Sequence, residues 1–98
     1  MKEFTRAAVF VHILHHASQE SIHGAWMSEE LSRHGYTISP GTLYPTLHRM
    51  EADGLLTSTR ITVDGRVLRT YRTTSEGDRT LAEARRAVHE LAGEVLEP

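Results

Sequence analysis

The sequence contains no cysteine, no long apolar run and no leader-like N-terminus. The absence of cysteine excludes disulfide bonds and thiolate metal sites, and it gives no reason to expect secretion. No apolar stretch approaches the roughly 18 residues that a membrane-spanning helix needs. The first residues, Met1 to Arg6, lack the charged and apolar regions of a secretory signal peptide. We therefore expect a cytoplasmic protein with no membrane partner.

Residue sets that are typical of catalysis are also missing. The chain has no Gly-rich phosphate loop, no His-Glu-x-x-His motif and no hydroxyl–histidine–carboxylate set that its spacing would reveal. We expect neither an enzyme nor a bound cofactor. The 98 residues, 39% of them hydrophobic, suffice for one compact domain with a modest core.

The segment from Ser39 to Leu56 predicts a helix with one apolar and one polar face. Ser39 suits the N-cap, Pro40 the first helical position and Gly54 the residue just past the end. An apolar stripe recurs at helical spacing, and the other faces carry hydroxyls, an aromatic ring and a cation. The stripe consists of Leu43, Leu47 and Met50, and the other faces carry Thr42, Thr46, Arg49, Tyr44, Pro45 and His48. Such a helix can read the major groove of DNA, or it can be a core helix with a solvated face.

The flanking segments predict a helix-turn-helix followed by a β-hairpin. Helices are expected at about 4–17 and 25–34, with a polar connector at 19–24 and a turn or β segment at 36–38. Residues 55–73 alternate around Asp64-Gly65, a strong two-residue turn signal. Arg66 would lie at the hairpin tip, where it could contact phosphate or the minor groove, or simply keep an exposed edge soluble.

The last segment predicts a helix, capped by Thr74 or Ser75, with an apolar seam. Its apolar residues are spaced 3, 4, 3 and 4, as in a dimerising helix. The seam consists of Leu81, Ala84, Val88, Leu91 and Val95. It can hold two chains together, or it can cover the domain's own core. We expect a mainly α fold with a β-hairpin (α+β), with a winged helix-turn-helix at 1–74 and a dimerisation helix at 75–98 in the same compact domain.

Charge is unevenly distributed although the net charge is only −2. Residues 55–73 carry four arginines and one acid, whereas residues 75–98 carry six acids and three arginines. Because the local field at a contact surface matters more than the total, this pattern is compatible with DNA binding.

Histidine and tryptophan suggest sites for an effector. His12, His15, His16 and His23 fall within twelve positions, and His12 and His16 are one helical turn apart. They could share a metal ion with His23 or Glu20, or they could be histidines without a ligand. Trp26 is either a core residue or part of a flat aromatic pocket for a planar ligand between subunits.

Three motifs resemble the PadR family of bacterial transcriptional regulators, over nearly the whole chain. They are Ser39-Pro40-Gly41-Thr42-Leu43-Tyr44-Pro45-Thr46-Leu47, Asp53-Gly54-Leu55 and Tyr71-Arg72-Thr73-Thr74-Ser75-Glu76-Gly77. The chain is similar to the short branch of the family, which has one C-terminal helix, and it departs from the family at His23, where tyrosine is common. The resemblance implies a winged helix-turn-helix dimer that represses transcription and releases DNA through an effector. It also implies DNA contacts at Ser39, Thr42, Tyr44, Thr46 and Arg49, and wing contacts near Arg66.

We therefore expect a sequence-specific regulator that binds double-stranded DNA as a homodimeric repressor, released by a small-molecule or metal effector. Two alternatives remain at this point, a histidine-based metal sensor and a winged-helix module that binds only proteins. DNA binding requires Thr42, Thr46, Arg49 and Arg66 to be exposed on one surface. The metal sensor requires the histidines to converge.

Overall fold

The computed structural model describes residues 2–96, which form four helices and one three-stranded sheet. The elements are α1 (Glu3–Gln19), β1 (Ile22–His23), α2 (Gly24–Arg33), α3 (Pro40–Ala52), β2 (Leu56–Val63), β3 (Arg66–Thr73) and α4 (Ser75–Val95). This order confirms the α+β fold, with a helix-turn-helix, a wing and a C-terminal helix.

The ends of α3 and α4 follow from local chemistry. Gly54 adopts a positive φ of +80°, which lets the Leu55 N–H donate to the Met50 carbonyl at 2.9 Å and turns the chain into β2. Thr74 rather than Ser75 is the N-cap of α4, because its hydroxyl accepts the Gly77 N–H at 3.0 Å.

The sheet is antiparallel, in the order β1-β3-β2. The hairpin register pairs Val63 with Arg66 around Asp64 and Gly65, whose φ angles are 51° and 77°. The two-residue turn that the sequence predicts is confirmed, and two positive φ angles are typical of a type I′ turn. The sequence did not predict β1, because two residues are too short to show a period, and the predicted polar connector in fact pairs Ile22 with Tyr71.

The core lies between the helices and the base of the sheet. Leu43, Leu47 and Met50 of α3 are buried as predicted, together with residues from all the other helices. Residues 36–38 are irregular rather than a β segment, and Tyr36 and Ile38 pack as half-buried side chains. Trp26 is half-buried against the core, unlike its fully buried neighbour Met27.

The start of α4 at Ser75 coincides with the expected boundary between a winged domain (1–74) and a dimerisation helix (75–98). Residues 1, 97 and 98 of those ranges lie outside the described residues. Between residues 2 and 96, every helix is too short or too polar to cross a membrane.

Candidate nucleic-acid interface

The outer surface of α3 is polar and exposed. Thr42 and Arg49 are exposed on one flank, seven residues apart and thus on the same side of the helix. Tyr44 is 42% exposed on the other flank, next to α2. A Cβ atom on Gly24 would lie 2.3 Å from the Tyr44 ring, so a larger residue at the start of α2 would displace this ring. Tyr44 is therefore both a surface residue and a contact between the two helices.

Thr46 is not exposed, and the prediction that it shares the outer face is wrong. Only 9% of its surface is accessible, and its hydroxyl donates to the Thr42 carbonyl at 2.7 Å. The reason is its place on the helix, three residues after Leu43 and four before Met50, where neighbours line the apolar side. Thr46 belongs to the edge of the core.

The middle of the outer face is formed by residues that were not predicted to contact DNA. Gly41, Pro45 and His48 are all exposed and lie between the two flanks of α3. Pro45 does not end the helix, although it lacks the N–H that would bond to the Gly41 carbonyl. Small or flat side chains at this ridge let the helix backbone approach a partner closely. Their helical spacing, four residues from Gly41 to Pro45 and three from Pro45 to His48, was visible in the sequence.

The N-terminus of α3 is open to solvent. Ser39 occupies the N-cap position as predicted, but its side chain does not cap the helix. Its hydroxyl donates instead to the Thr42 hydroxyl at 3.3 Å on the exposed surface. Pro40 has no N–H and the Thr42 N–H donates to the Ser39 carbonyl at 3.0 Å, so the Gly41 N–H is the group of the first turn that is left for a phosphate group.

The wing carries a concentration of positive charge. Its four arginines are all exposed, and its one acid, Asp64, lies in the tip turn. Arg66 is the first residue after this Asp64-Gly65 turn. Arg60 and Arg69 lie directly opposite each other in the β2–β3 register. Like charges at opposed positions destabilise a sheet, so a polyanion on this surface would relieve a repulsion that is built into the hairpin.

Three contacts hold α3, the wing and α4 in a fixed relation. Glu51 at the end of α3 accepts hydrogen bonds from the Ser58 N–H at 3.1 Å and the Ser58 hydroxyl at 2.7 Å. The Thr74 hydroxyl donates to the Gly54 carbonyl at 2.5 Å. A Cβ atom on Gly77 would lie 2.1 Å from the Leu55 carbonyl oxygen, so the first turn of α4 packs directly on that backbone.

The apolar seam of α4 divides into a covered and an uncovered part. Leu81 is buried in the core of its own chain, and Ala84 is half-buried. The prediction that Leu81 contacts a second chain is therefore wrong. Farther along, Val88, Leu91 and Val95 are 56%, 47% and 65% exposed. Val88 and Leu91 also line an apolar groove of about 740 Å³ between α1 and α4. Trp26 does not line this groove.

The histidines of α1 separate into two groups. His12 and His16 face α2, where Glu30 lies 3.4 Å from His16 and 3.0 Å from His34. His15 instead lies 3.2 Å from Arg85 of α4. His23 accepts the Trp26 N–H at the start of α2 and does not join the cluster, contrary to one of the sets considered above.

Burial sets the charge state of this cluster. Burial, aided by the neighbouring His34 and His16, lowers the pKa of His12 below its usual value. Burial also lowers the pKa of His16, against the opposing effect of the Glu30 carboxylate. Burial by itself raises the pKa of Glu30, but the hydrogen bond with His34 and the charge of Arg33 together hold it below its usual value. His12 and His16 are therefore neutral imidazoles beside an ionised Glu30 carboxylate at neutral pH.

Known proteins are similar to this chain in sequence and in fold. The profile of the Transcriptional regulator PadR-like family matches residues 13–83. The chain is 65% identical to the transcriptional regulator Rv3488 of Mycobacterium tuberculosis, over 98% of this chain and 90% of that protein.

Solved structures are similar over nearly the full length. A PadR family transcriptional regulator from Eggerthella lenta matches with a TM-score of 0.82 at 34% identity, over 97% of this chain and 87% of that one. A PadR-like transcriptional regulator from Bacillus cereus matches with a TM-score of 0.83 at 27% identity, over 99% of each chain.

Proposed function

This chain belongs to the PadR-like family of transcriptional regulators, and we propose that it is a homodimeric repressor that binds one operator sequence and leaves it when an effector binds. Members of this family regulate transcription through DNA and are not enzymes. The observation that carries the proposal is the exposed polar face of α3 beside a wing with four exposed arginines. Because DNA is the ligand, the proposal includes a cytoplasmic site of action.

The two surfaces would have different tasks on DNA. The major groove, about 12 Å wide, admits an α-helix, and an arginine can form two hydrogen bonds with the edge of a guanine. Arg49, Thr42 and Tyr44 are the exposed side chains of α3 that we assign to base edges and the adjacent backbone. Ser39 and Arg66 are assigned to phosphates, because phosphate contacts fix the register of a protein on the duplex.

The dimer is proposed from the uncovered part of the α4 seam. Large apolar side chains exposed in a row are unfavourable in water, and a second copy of α4 offers a matching row. A two-fold dimer would present two α3 helices, as DNA readers of this type commonly do. In this proposal Val88, Leu91 and Val95 form the centre of the interface, with Ala84 at its edge.

A protein-only interaction module is the less favoured alternative. Such a module would place apolar side chains on the outer face of α3, since interface centres are depleted in charge. The face instead carries Thr42, His48 and Arg49. A polar helix beside a basic hairpin suits a polyanion better than a protein surface.

A DNA titration with matched arginine variants tests the proposal. The duplex is one that the wild-type protein enriches from a random pool, and a scrambled duplex is the reference. We expect Arg49→Ala to lose about 1–3 kcal/mol of the preference for the enriched duplex, because a base contact is removed. Arg86→Ala, an exposed arginine on α4, removes the same charge and should leave the preference unchanged. Equal losses, or no enriched duplex at all, would contradict the proposal.

A reporter gene tests the direction of regulation. With the enriched duplex placed over a promoter, the wild-type protein should lower transcription and Arg49→Ala should restore it. An increase in transcription with the wild-type protein would make the chain an activator.

A further inference from the structure

We propose that His12, His16, His34 and Glu30 form a binding site for a divalent metal ion of the zinc class. The site lies where α1 crosses the end of α2. The ligand nitrogens of the three histidines lie within 4.8 Å of one another. Glu30 brings an oxygen to 3.0 Å from His34 and 3.4 Å from His16. Four side chains from two helices and the following cap residue thus converge on one point.

The distances suit a tetrahedral ion. Zinc binds histidine nitrogen and carboxylate oxygen at about 2.0–2.2 Å, which places two ligand atoms of a tetrahedral site roughly 3.3 Å apart. The distances from the Glu30 oxygen to His34 and to His16, 3.0 and 3.4 Å, are already close to this separation. The histidine nitrogens lie within 4.8 Å of one another, so they need to approach by at most about 1.5 Å. His34 can supply that movement, because its side chain is half-exposed at the C-cap of α2.

The charge of the cluster favours a cation. Glu30 is 8% exposed, so its carboxylate is largely removed from water. Among residues 2–96, its one cationic partner with a permanent charge is Arg33, whose side chain is 78% exposed and screened by solvent. The remaining partners are imidazoles, which bind metal in the neutral form. A buried carboxylate among imidazoles is stabilised most directly by a divalent ion in their midst.

The surroundings would hold the ligands in place. The His12 ring packs at 4.7 Å from the His34 ring and edge-on to Tyr36 at 5.5 Å. The His16 ring packs edge-on to Trp26 at 5.2 Å. Packing of this kind limits ring rotation. It would orient the metal ligands in the way that hydrogen-bonded neighbours orient them in known metal sites. Trp26 would thus form one side of the metal site, next to His16.

The position of the site connects two functional parts of the chain. His34 ends α2 and begins the turn into α3, while His12 also lines the groove between α1 and α4. An ion that pulls His34 toward α1 would shift the helix-turn-helix relative to the groove. By linkage, the factor by which the metal changes DNA affinity equals the factor by which bound DNA changes metal affinity. This regulatory step rests on the proposed DNA binding, whereas the metal site does not.

Metal titration of the free full-length protein tests the site. Zn²⁺ is titrated against a chromophoric chelator, and Co²⁺ absorption reports on tetrahedral geometry. We expect one ion per chain. His34→Gln and Glu30→Gln should each weaken Zn²⁺ binding by more than tenfold, since even outer-shell partners of a metal account for about 10–100-fold. His34 is half-exposed, so its variant should keep the wild-type circular dichroism spectrum.

A matched histidine variant provides the control. His48→Gln removes an exposed histidine from α3 and should bind Zn²⁺ as the wild type does. Less than one ion per chain, or equal weakening in His48→Gln and His34→Gln, would overturn the site.

A DNA titration with and without Zn²⁺ then tests the regulatory step. Operator affinity should change with Zn²⁺ in the wild type and not in His34→Gln. Unchanged wild-type affinity would overturn the regulatory step. A protein that binds Zn²⁺ but no duplex would contradict the proposed function while leaving the metal site standing.

Discussion

Helices α3 and α4 are both amphipathic, but each leaves the opposite kind of surface uncovered. The apolar stripe of α3 is at most 2% exposed, and its outer face is polar. In α4 the first apolar residue, Leu81, is 2% exposed, whereas Val95, two heptads farther on, is 65% exposed. The free surface of α3 therefore suits a polyanion, and that of α4 suits a second apolar surface.

This difference shows how much the spacing of apolar residues reveals about a helix. In both helices the spacing identifies the side that avoids water. It does not tell which chain covers that side, because coverage depends on how far the rest of the fold extends. The core ends near Leu81, while α4 continues to Val95. The following predictions test this contrast, beginning with the largest expected effect.

The uncovered seam of α4 should hold the dimer. Val88→Glu combined with Leu91→Glu would bury unpaired charge in both subunits at a cost of several kcal/mol, so the dimer dissociation constant should rise more than about a hundredfold. Sedimentation over a concentration series measures it. Ala82→Glu combined with Arg86→Glu places acids on the opposite side of α4 and should leave the dimer intact. An intact dimer in the seam variant would locate the interface elsewhere.

The first turn of α4 should be held by its own chain. Gly77→Ala would drive a methyl group into the Leu55 carbonyl, and such overpacking costs about 1–3 kcal/mol of unfolding free energy. Gly93→Ala, in open space on the same helix, should be neutral or gain up to about 1 kcal/mol. Urea unfolding at several protein concentrations compares the two. Equal stability of the two variants would show that the contact at Gly77 is not a tight one.

The two threonines of α3 should separate the outer face from the core edge. Thr42→Ala should reduce the preference for the selected duplex by about 1 kcal/mol, the usual worth of one hydrogen bond. Thr46→Val keeps the shape of a side chain that is 9% exposed, so it should leave that preference unchanged. Fluorescence anisotropy with selected and scrambled duplexes measures both. A larger loss for Thr46→Val would return Thr46 to the reading face.

The wing should contribute affinity without sequence preference. Arg66→Ala should weaken binding to selected and scrambled duplexes alike, and should reduce the salt slope by about one unit if the side chain contacts a phosphate. Titrations at four salt concentrations give the slope. A changed preference with an unchanged slope would instead assign Arg66 to a base edge.

Local features of the fold were predictable from the sequence, and long-range ones were not. The Asp64-Gly65 turn, the helix end before Gly54 and the buried stripe of α3 each follow from neighbouring residues. Strand β1 escaped prediction because it exists only through its pairing with β3. The convergence of Glu30 and His34 on His12 and His16 was not predicted either, because it depends on how α1 and α2 cross. The helical spacing of the polar residues of α3 predicted that Thr46 is exposed. It is buried because it lies at the edge of the apolar stripe.

The symmetry of the selected DNA sites tests the central claim most directly, because it requires both free surfaces at once. Duplexes enriched from a random pool by the wild-type protein should contain an inverted repeat, with half-site centres about 10–10.5 base pairs or a multiple of that apart, since two α3 helices would lie on one side of the duplex. The combined Val88→Glu and Leu91→Glu variant should enrich no such repeat. An enriched sequence without two-fold symmetry, or no enrichment by the wild type, would contradict the account.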